Sequence, residues 1–215
     1  MDDTEVWAAV DRRRRAIADY LDELPPDDWD RPSLCDAWTV REVAAHLTLA
    51  GLPRWRLVPI FLRYPGSTNR TIRDGSTALA RRMTDEQIVD ALRRMIGHHR
   101  PFPGLTCREA LIDVVGHTQD ITVPLGREIP IPAEEIAEAA DRVVSYGGRG
   151  NAKVFHPLST AGVRLVADDL DWATGDGPGV TGSMRDLFLV LTGRTAHLDR
   201  LGGSGAELVR GRVAA

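Results

Sequence analysis

Lysine is almost missing from this chain of 215 residues: of 27 basic residues, Lys153 alone is a lysine and the rest are arginine. That ratio is what a GC-rich genome writes, and it says nothing of mechanism. Basic charge is not in excess either, since 31 acidic residues leave a formal net charge of -4 and an isoelectric point near 5.9. With no basic stripe carrying interleaved aromatics, the balance argues against nucleic acid as the main partner. Cysteine is scarce. Cys35 and Cys107 form no CxxC pair and no disulfide framework, which is the usage of a reducing compartment. Apolar runs fall far short of the ~20 residues a bilayer span needs, and "MDDTEVWAAVDRRRR" has no apolar stretch of the signal-peptide kind. These absences describe a cytoplasmic protein without membrane or nucleic-acid partners, monomeric or homodimeric.

What is present is helix punctuation. "TVRE" (39–42), "TDEQ" (84–87) and "TCRE" (106–109) each place Thr three residues before Glu or Gln. In that pattern the two side chains satisfy orphan backbone donors reciprocally. A first helix near 4–24, stopped by Pro25-Pro26, joins three more predicted over about 40–62, 85–97 and 107–123. The second of the four should bend at Pro53 or Pro59 and the last should end at Pro124. Four helices linked by loops suggest a bundle. Beyond them, "PIPAEEIAEAADRVVSYGG" predicts a fifth helix with Pro132 at its first position and a Gly147-Gly148 stop. "RGNAKVFHPLS" reads as a linker. "GVRLVADDLDWATGDGPG" reads as two short strands, with "GDGPGVTG" (175–182) a turn that lacks the Lys-Ser/Thr ending of a phosphate loop. "SMRDLFLVLTGR" is a further helix, and "AELVRGRV" a short strand or last helical turn. The expected fold is mainly α with a small α/β part: a helical domain over 1–150 and a small α/β domain over 151–215.

The chemistry concentrates in "CREALIDVVGHTQDITVPLG". Asp113, His117 and Asp120 are spaced four and three apart, so a helix projects them from one face. Their neighbours Leu111, Val114, Val115, Thr118 and Ile121 are of the kind a bundle buries. Burying a carboxylate and an imidazole costs several kcal/mol unless they pair or bind a metal. A second histidine, His46, lies between Val43 and Ala50 at helical spacing, on a helix that buries Val40, Val43, Ala44 and Leu47, and can meet Asp113 and His117 from there. His46, Asp113 and His117 as three ligands leave a coordination position open, which is the catalytic pattern. Asp120 then either orients an imidazole from behind or replaces Asp113 as third ligand. The plainer reading stands beside this one: a packed histidine, and an Asp–His surface hydrogen bond at i, i+4. Cys107, in a first helical turn, is either a thiol with lowered pKa or a small buried residue. "RRRR" (12–15) reads as a solvated face with Asp11 and Asp19 near enough to pair. His98 and His99 read as cations at a helix end, Trp38 as a residue packed on the helix it precedes, and Trp172 as a core or interface residue.

Three segments carry a resemblance. "PSLCDAWTVREVAAHL", "HTQDITVPLGREIPIP" and "VRLVADDLDWATGDGPGVTGSMRDLFLVLTGR" resemble, in order, segments of the mycothiol-dependent maleylpyruvate isomerase family of the DinB-like superfamily. The resemblance implies a DinB-like four-helix bundle followed by a small α/β C-terminal domain, in an actinobacterial-type member. It also implies a divalent metal, zinc or else nickel, held by His46, Asp113 and His117, where those isomerases carry Glu in place of Asp113. Mycothiol is the implied thiol cofactor, activated at the metal to attack a small electrophile in an isomerase or S-transferase reaction. Asp120 and Arg194, the latter in "LTGR", become the candidate catalytic residues. Arg194 would reach an anionic thiol or carboxylate, its plainer reading being a surface salt bridge. The alternative function is a non-catalytic metal- or ligand-binding protein that keeps the scaffold, and Asp113 in place of Glu is the feature behind it.

Overall fold

The computed structural model describes residues 1–53, 55, 63, 67–101, 104–147 and 160–212. The described chain is mainly helical with one three-stranded sheet, and it divides into two compact units, Met1–Pro130 and Ile131–Ala215.

In the first unit the helices are α1 (Asp3–Asp22), α2 (Val40–Leu47), α3 (Thr68–Ala80), α4 (Asp85–Arg94) and α5 (Cys107–Leu125). All three capping boxes read from the sequence are formed, at Thr39, Thr84 and Thr106, and Asp2 with Glu5 builds a fourth at α1. α1 packs on α4 and α5, and α2 packs on α3 and α5. Ile17, Leu21, Trp29, Val40, Val43, Ile88, Leu92 and Ile121 fill the space between. Each such large side chain withdrawn from water contributes about 1.5–3 kcal/mol.

Four features depart from the sequence reading. α2 stops at Leu47 and tightens into a 3₁₀ turn over Thr48–Gly51, with Leu52 extended, while Pro59 and most of 54–66 lie outside the described residues. α3 was not predicted at all. Its Thr71, Ile72, Gly75, Ser76 and Thr77 are weak helix formers, and its cap, Ser67 bonded to the Arg70 N–H, has no Glu three residues on. Nor is "RRRR" a solvated face, for Arg13 and Arg14 are buried. Arg13 Nη1 donates to the Pro130 carbonyl at 2.7 Å. Arg14 Nη1 donates to those of Met95 (2.8 Å) and His98 (3.1 Å), just beyond the end of α4, where the Met95 carbonyl also accepts the His98 N–H. His99 leaves the helix end too, to stack on Trp7 and meet Asp11 at 2.8 Å.

The second unit holds α6 (Ala133–Ser145), β1 (Arg164–Ala167), β2 (Ala173–Thr174), β3 (Gly179–Gly182), α7 (Met184–Leu191) and α8 (Ala206–Gly211). α6 packs on α7, a mostly apolar helix that also carries Arg185 and Asp186. Both helices fall in the second compact unit. The strand order is β2-β1-β3, with β1 antiparallel to β2 and parallel to β3. Thus half of "GDGPGVTG" is strand. Gly177, at φ +121°, lies so close to β1's approach that a Cβ would sit 2.4 Å from the Gly162 carbonyl oxygen. Here glycine permits close strand approach, where the sequence reading saw a loose turn. The proposed linker, 149–159, lies outside the described residues.

Candidate metal centre

α2 and α5 bring His46, Asp113 and His117 together in the first unit. His46 Nε2 lies 3.3 Å from Asp113 Oδ1 and His117 Nε2 lies 3.4 Å from the same oxygen. The two imidazole rings meet edge to face at 4.8 Å between centroids. Both histidine side chains are 14% exposed and Asp113 is 37% exposed, so the cluster is walled by protein on one side and open to water on the other.

The far nitrogens are held in place. Ser76 Oγ, supplied by α3, gives its single proton to the Ile72 carbonyl at 2.7 Å. It can therefore only accept at its 3.1 Å contact with His46 Nδ1, and that nitrogen carries the hydrogen. His117 Nδ1 donates to Asp120 Oδ2 at 2.8 Å. In the neutral imidazoles both Nε2 atoms are then bare. Two nitrogen lone pairs and a carboxylate oxygen converge on one point, an arrangement that repels unless a cation lies among them. Without a metal that cation is a proton. Burial opposes charging His117, but hydrogen bonding to Asp120 and Cys35 and the negative charge of Asp113 outweigh it and hold its pKa well above the usual imidazole value. Burial likewise opposes ionising Asp113, while the His46 hydrogen bond and the charges of His46, His117 and Arg14 win and lower its pKa.

Asp120 is fully buried behind His117, and so is its backbone environment. Pro124 sits inside the last turn of α5 and has no N–H to give to the residue four before it, which is Asp120. The freed Asp120 carbonyl instead accepts the Leu34 N–H at 3.0 Å. That bond docks the loop 33–38, whose Ser33 N–H in turn donates to the Trp38 carbonyl at 3.0 Å. The loop delivers two side chains. Cys35 Sγ donates to Asp120 Oδ2 at 3.0 Å and lies 3.7 Å from His117 Nδ1. Trp38 lays its ring 5.1 Å from His46 and 6.3 Å from His117, and among the described residues its buried indole N–H has no hydrogen-bond partner. Forming this loop places Ala37 at φ 63°, the left-handed region that a Cβ disfavours.

Of the residues predicted from sequence, four are thus gathered: His46, Asp113, His117 and Asp120. The fifth, Arg194, belongs to the second unit, where Nη1 donates to the Thr192 carbonyl at 2.6 Å. Cys107 is buried, and burial together with hydrogen bonding to Asp3 raises its pKa, so the reading of an activated thiol fails. Ser76 and Cys35 were not anticipated as partners of the histidines. Ser76 gave no signal, because the helix that carries it is not written in its propensities. Beside Asp113 a cavity of about 30 Å³ is lined by Arg14, Leu47, Leu92, Met95 and Val114, room for a water but not for a substrate.

Comparison with known proteins bears on what this cluster is. Residues 10–100 match the family model described as the mycothiol maleylpyruvate isomerase N-terminal domain, a span that includes His46, Cys35 and Trp38 but stops before α5. No curated protein matches the chain. Two solved structures share its fold, the crystal structure of the mycothiol-dependent maleylpyruvate isomerase and that of a histidine-to-alanine variant of it. Each has a TM-score of 0.57 at 17% identity, covering 96% of this chain and 94% of the other. Over residues 10–100 the chain is thus similar to the mycothiol maleylpyruvate isomerase N-terminal domain, and over nearly its whole length it shares the fold of that enzyme.

Proposed function

We propose that the chain is a metal-dependent enzyme that uses mycothiol to isomerise or conjugate a small electrophile, with a divalent metal held by His46 Nε2, His117 Nε2 and Asp113 Oδ1. One observation carries the reading: His46 Nε2 and His117 Nε2 each lie 3.3–3.4 Å from Asp113 Oδ1, three possible ligand atoms gathered in one small volume. A tetrahedral ion with ligands at about 2.0–2.1 Å separates neighbouring ligands by about that distance. Asp113, although a methylene shorter than the Glu of the related isomerases, reaches both nitrogens, and this supports metal retention over a scaffold that has lost its ion.

When bound, such an ion supplies the Lewis acidity that turns a thiol into a thiolate near neutral pH. The protein's own residues then set the conditions. Ser76 and Asp120 keep the imidazole hydrogens on Nδ1, so Nε2 faces inward. Trp38 covers both rings on one flank and offers an unused indole N–H. The exposed edge of Asp113 marks the side from which small molecules enter. A bound thiol would supply a nucleophilic sulfur for addition across an activated C=C bond, whose π bond breaks as C–S forms. Taking up a proton at the carbanion would give a conjugate, and loss of the thiolate after rotation about the C–C bond would give the isomer.

The test is spectroscopic. Cobalt-substituted protein titrated with mycothiol should develop a sulfur-to-cobalt charge-transfer band that His46→Ala lacks. A cobalt spectrum indifferent to mycothiol would remove the thiol chemistry while leaving the metal.

A further inference from the structure

We propose that Cys35 is a positioning residue for the metal centre, acting through Asp120 on His117. The proposal rests on the metal reading above. Asp120 Oδ2 is shared: His117 Nδ1 lies at 2.8 Å and Cys35 Sγ at 3.0 Å, on a carboxylate with no exposure to water. A carboxylate oxygen that receives two donors is held in one rotamer by both. Removing either loosens that hold and lets the imidazole orientation shift with the carboxylate. A ligating histidine depends on such a partner for ring orientation, so the thiol fixes the direction in which Nε2 points without touching the ion.

The chain spends structure on bringing Cys35 there. Pro124 leaves the Asp120 carbonyl free, Leu34 takes it, and Ala37 adopts a left-handed conformation that allows the loop to close. The same residue of α5 is therefore gripped twice by one loop, at its backbone by Leu34 and at its carboxylate by Cys35. The Sγ–Nδ1 separation of 3.7 Å places the thiol against the imidazole as well. Cys35 is thus neither a nucleophile nor a ligand in this account; it is a weak donor whose acceptor does the orienting.

The experiment is cobalt binding, followed by affinity and by the ligand-field spectrum, in wild type, Cys35→Ala, Cys35→Ser, Asp120→Asn and the double variant Cys35→Ala/Asp120→Asn. Circular dichroism serves as a check of fold. Asp120→Asn should weaken binding by about 10- to 100-fold. Cys35→Ala should weaken it by about 3- to 10-fold, the loss of one ordinary hydrogen bond, with a shifted ligand-field band. Cys35→Ser, which keeps a donor, should restore both. In the double variant the Cys35→Ala loss should vanish, because its route through Asp120 is already cut. A Cys35→Ala variant with wild-type affinity and spectrum overturns the relay, as does a loss that adds in full to that of Asp120→Asn. Wild-type protein that takes up no cobalt removes the centre itself, a result distinct from either.

Discussion

At the residue scale the centre is defined by where protons sit. His117 in the metal-free protein has its pKa raised, since the hydrogen bonds to Asp120 and Cys35 and the charge of Asp113 outweigh burial. A raised pKa contributes stability that is complete below the unfolded value of about 6.5 and lost as pH climbs through the folded one. The metal needs Nε2 without its proton, so metal uptake near pH 7 should release about one proton, with affinity increasing as pH rises toward the folded value. Calorimetry in buffers of different ionisation heat counts that proton. A count of zero would mean that His117 is already neutral or is not a ligand. Ala37 gives a second prediction at this scale. A non-glycine residue at φ 63° costs about 1 kcal/mol, so Ala37→Gly should leave the fold intact and its thermal midpoint equal or higher. A lowered midpoint would mean that the loop is not strained.

At the scale of elements, what was legible in the sequence followed from local chemistry. Thr39, Thr84 and Thr106 announced their helices because a capping box is a contact between residues three apart. His46, Asp113, His117 and Asp120 announced themselves by polar spacing on apolar helices. What was not legible depends on partners far along the chain. α3 exists because α2 packs on it, against the preference of Gly75 and its β-branched neighbours. β3 exists because β1 offers it a parallel edge. Arg13 and Arg14 are buried because carbonyls at Pro130, Met95 and His98 await them, which nothing in "RRRR" states. The shared Asp120 likewise needed Pro124 to be read as a donor withheld and not merely as a helix stop. Two outcomes test these elements. Ser76→Ala removes the acceptor of His46 Nδ1 and should weaken metal binding by about 10-fold with the helix content unchanged. Pro124→Ala restores an N–H that competes for the Asp120 carbonyl, so the Leu34 amide should exchange its hydrogen faster. Unchanged protection at Leu34 would show that the loop is held by its side chains alone.

For the whole molecule, the fold is the one seen in the mycothiol-dependent maleylpyruvate isomerase, at 17% identity. No described helix is long and apolar enough to cross a membrane. The proposed ligands come from two helices that meet only when the first unit folds, so binding of the proposed metal would be coupled to folding. Metal at 100 times its dissociation constant should add about 2.7 kcal/mol of stability, seen as a rise in the thermal midpoint that a chelator reverses. The most direct test is elemental analysis of the purified protein beside His46→Ala and His117→Ala. The account predicts about one equivalent of zinc or nickel per chain, lost in both variants while circular dichroism shows the helices intact. A wild-type protein without stoichiometric metal, even after reconstitution, would contradict it and leave two histidines sharing a proton with Asp113.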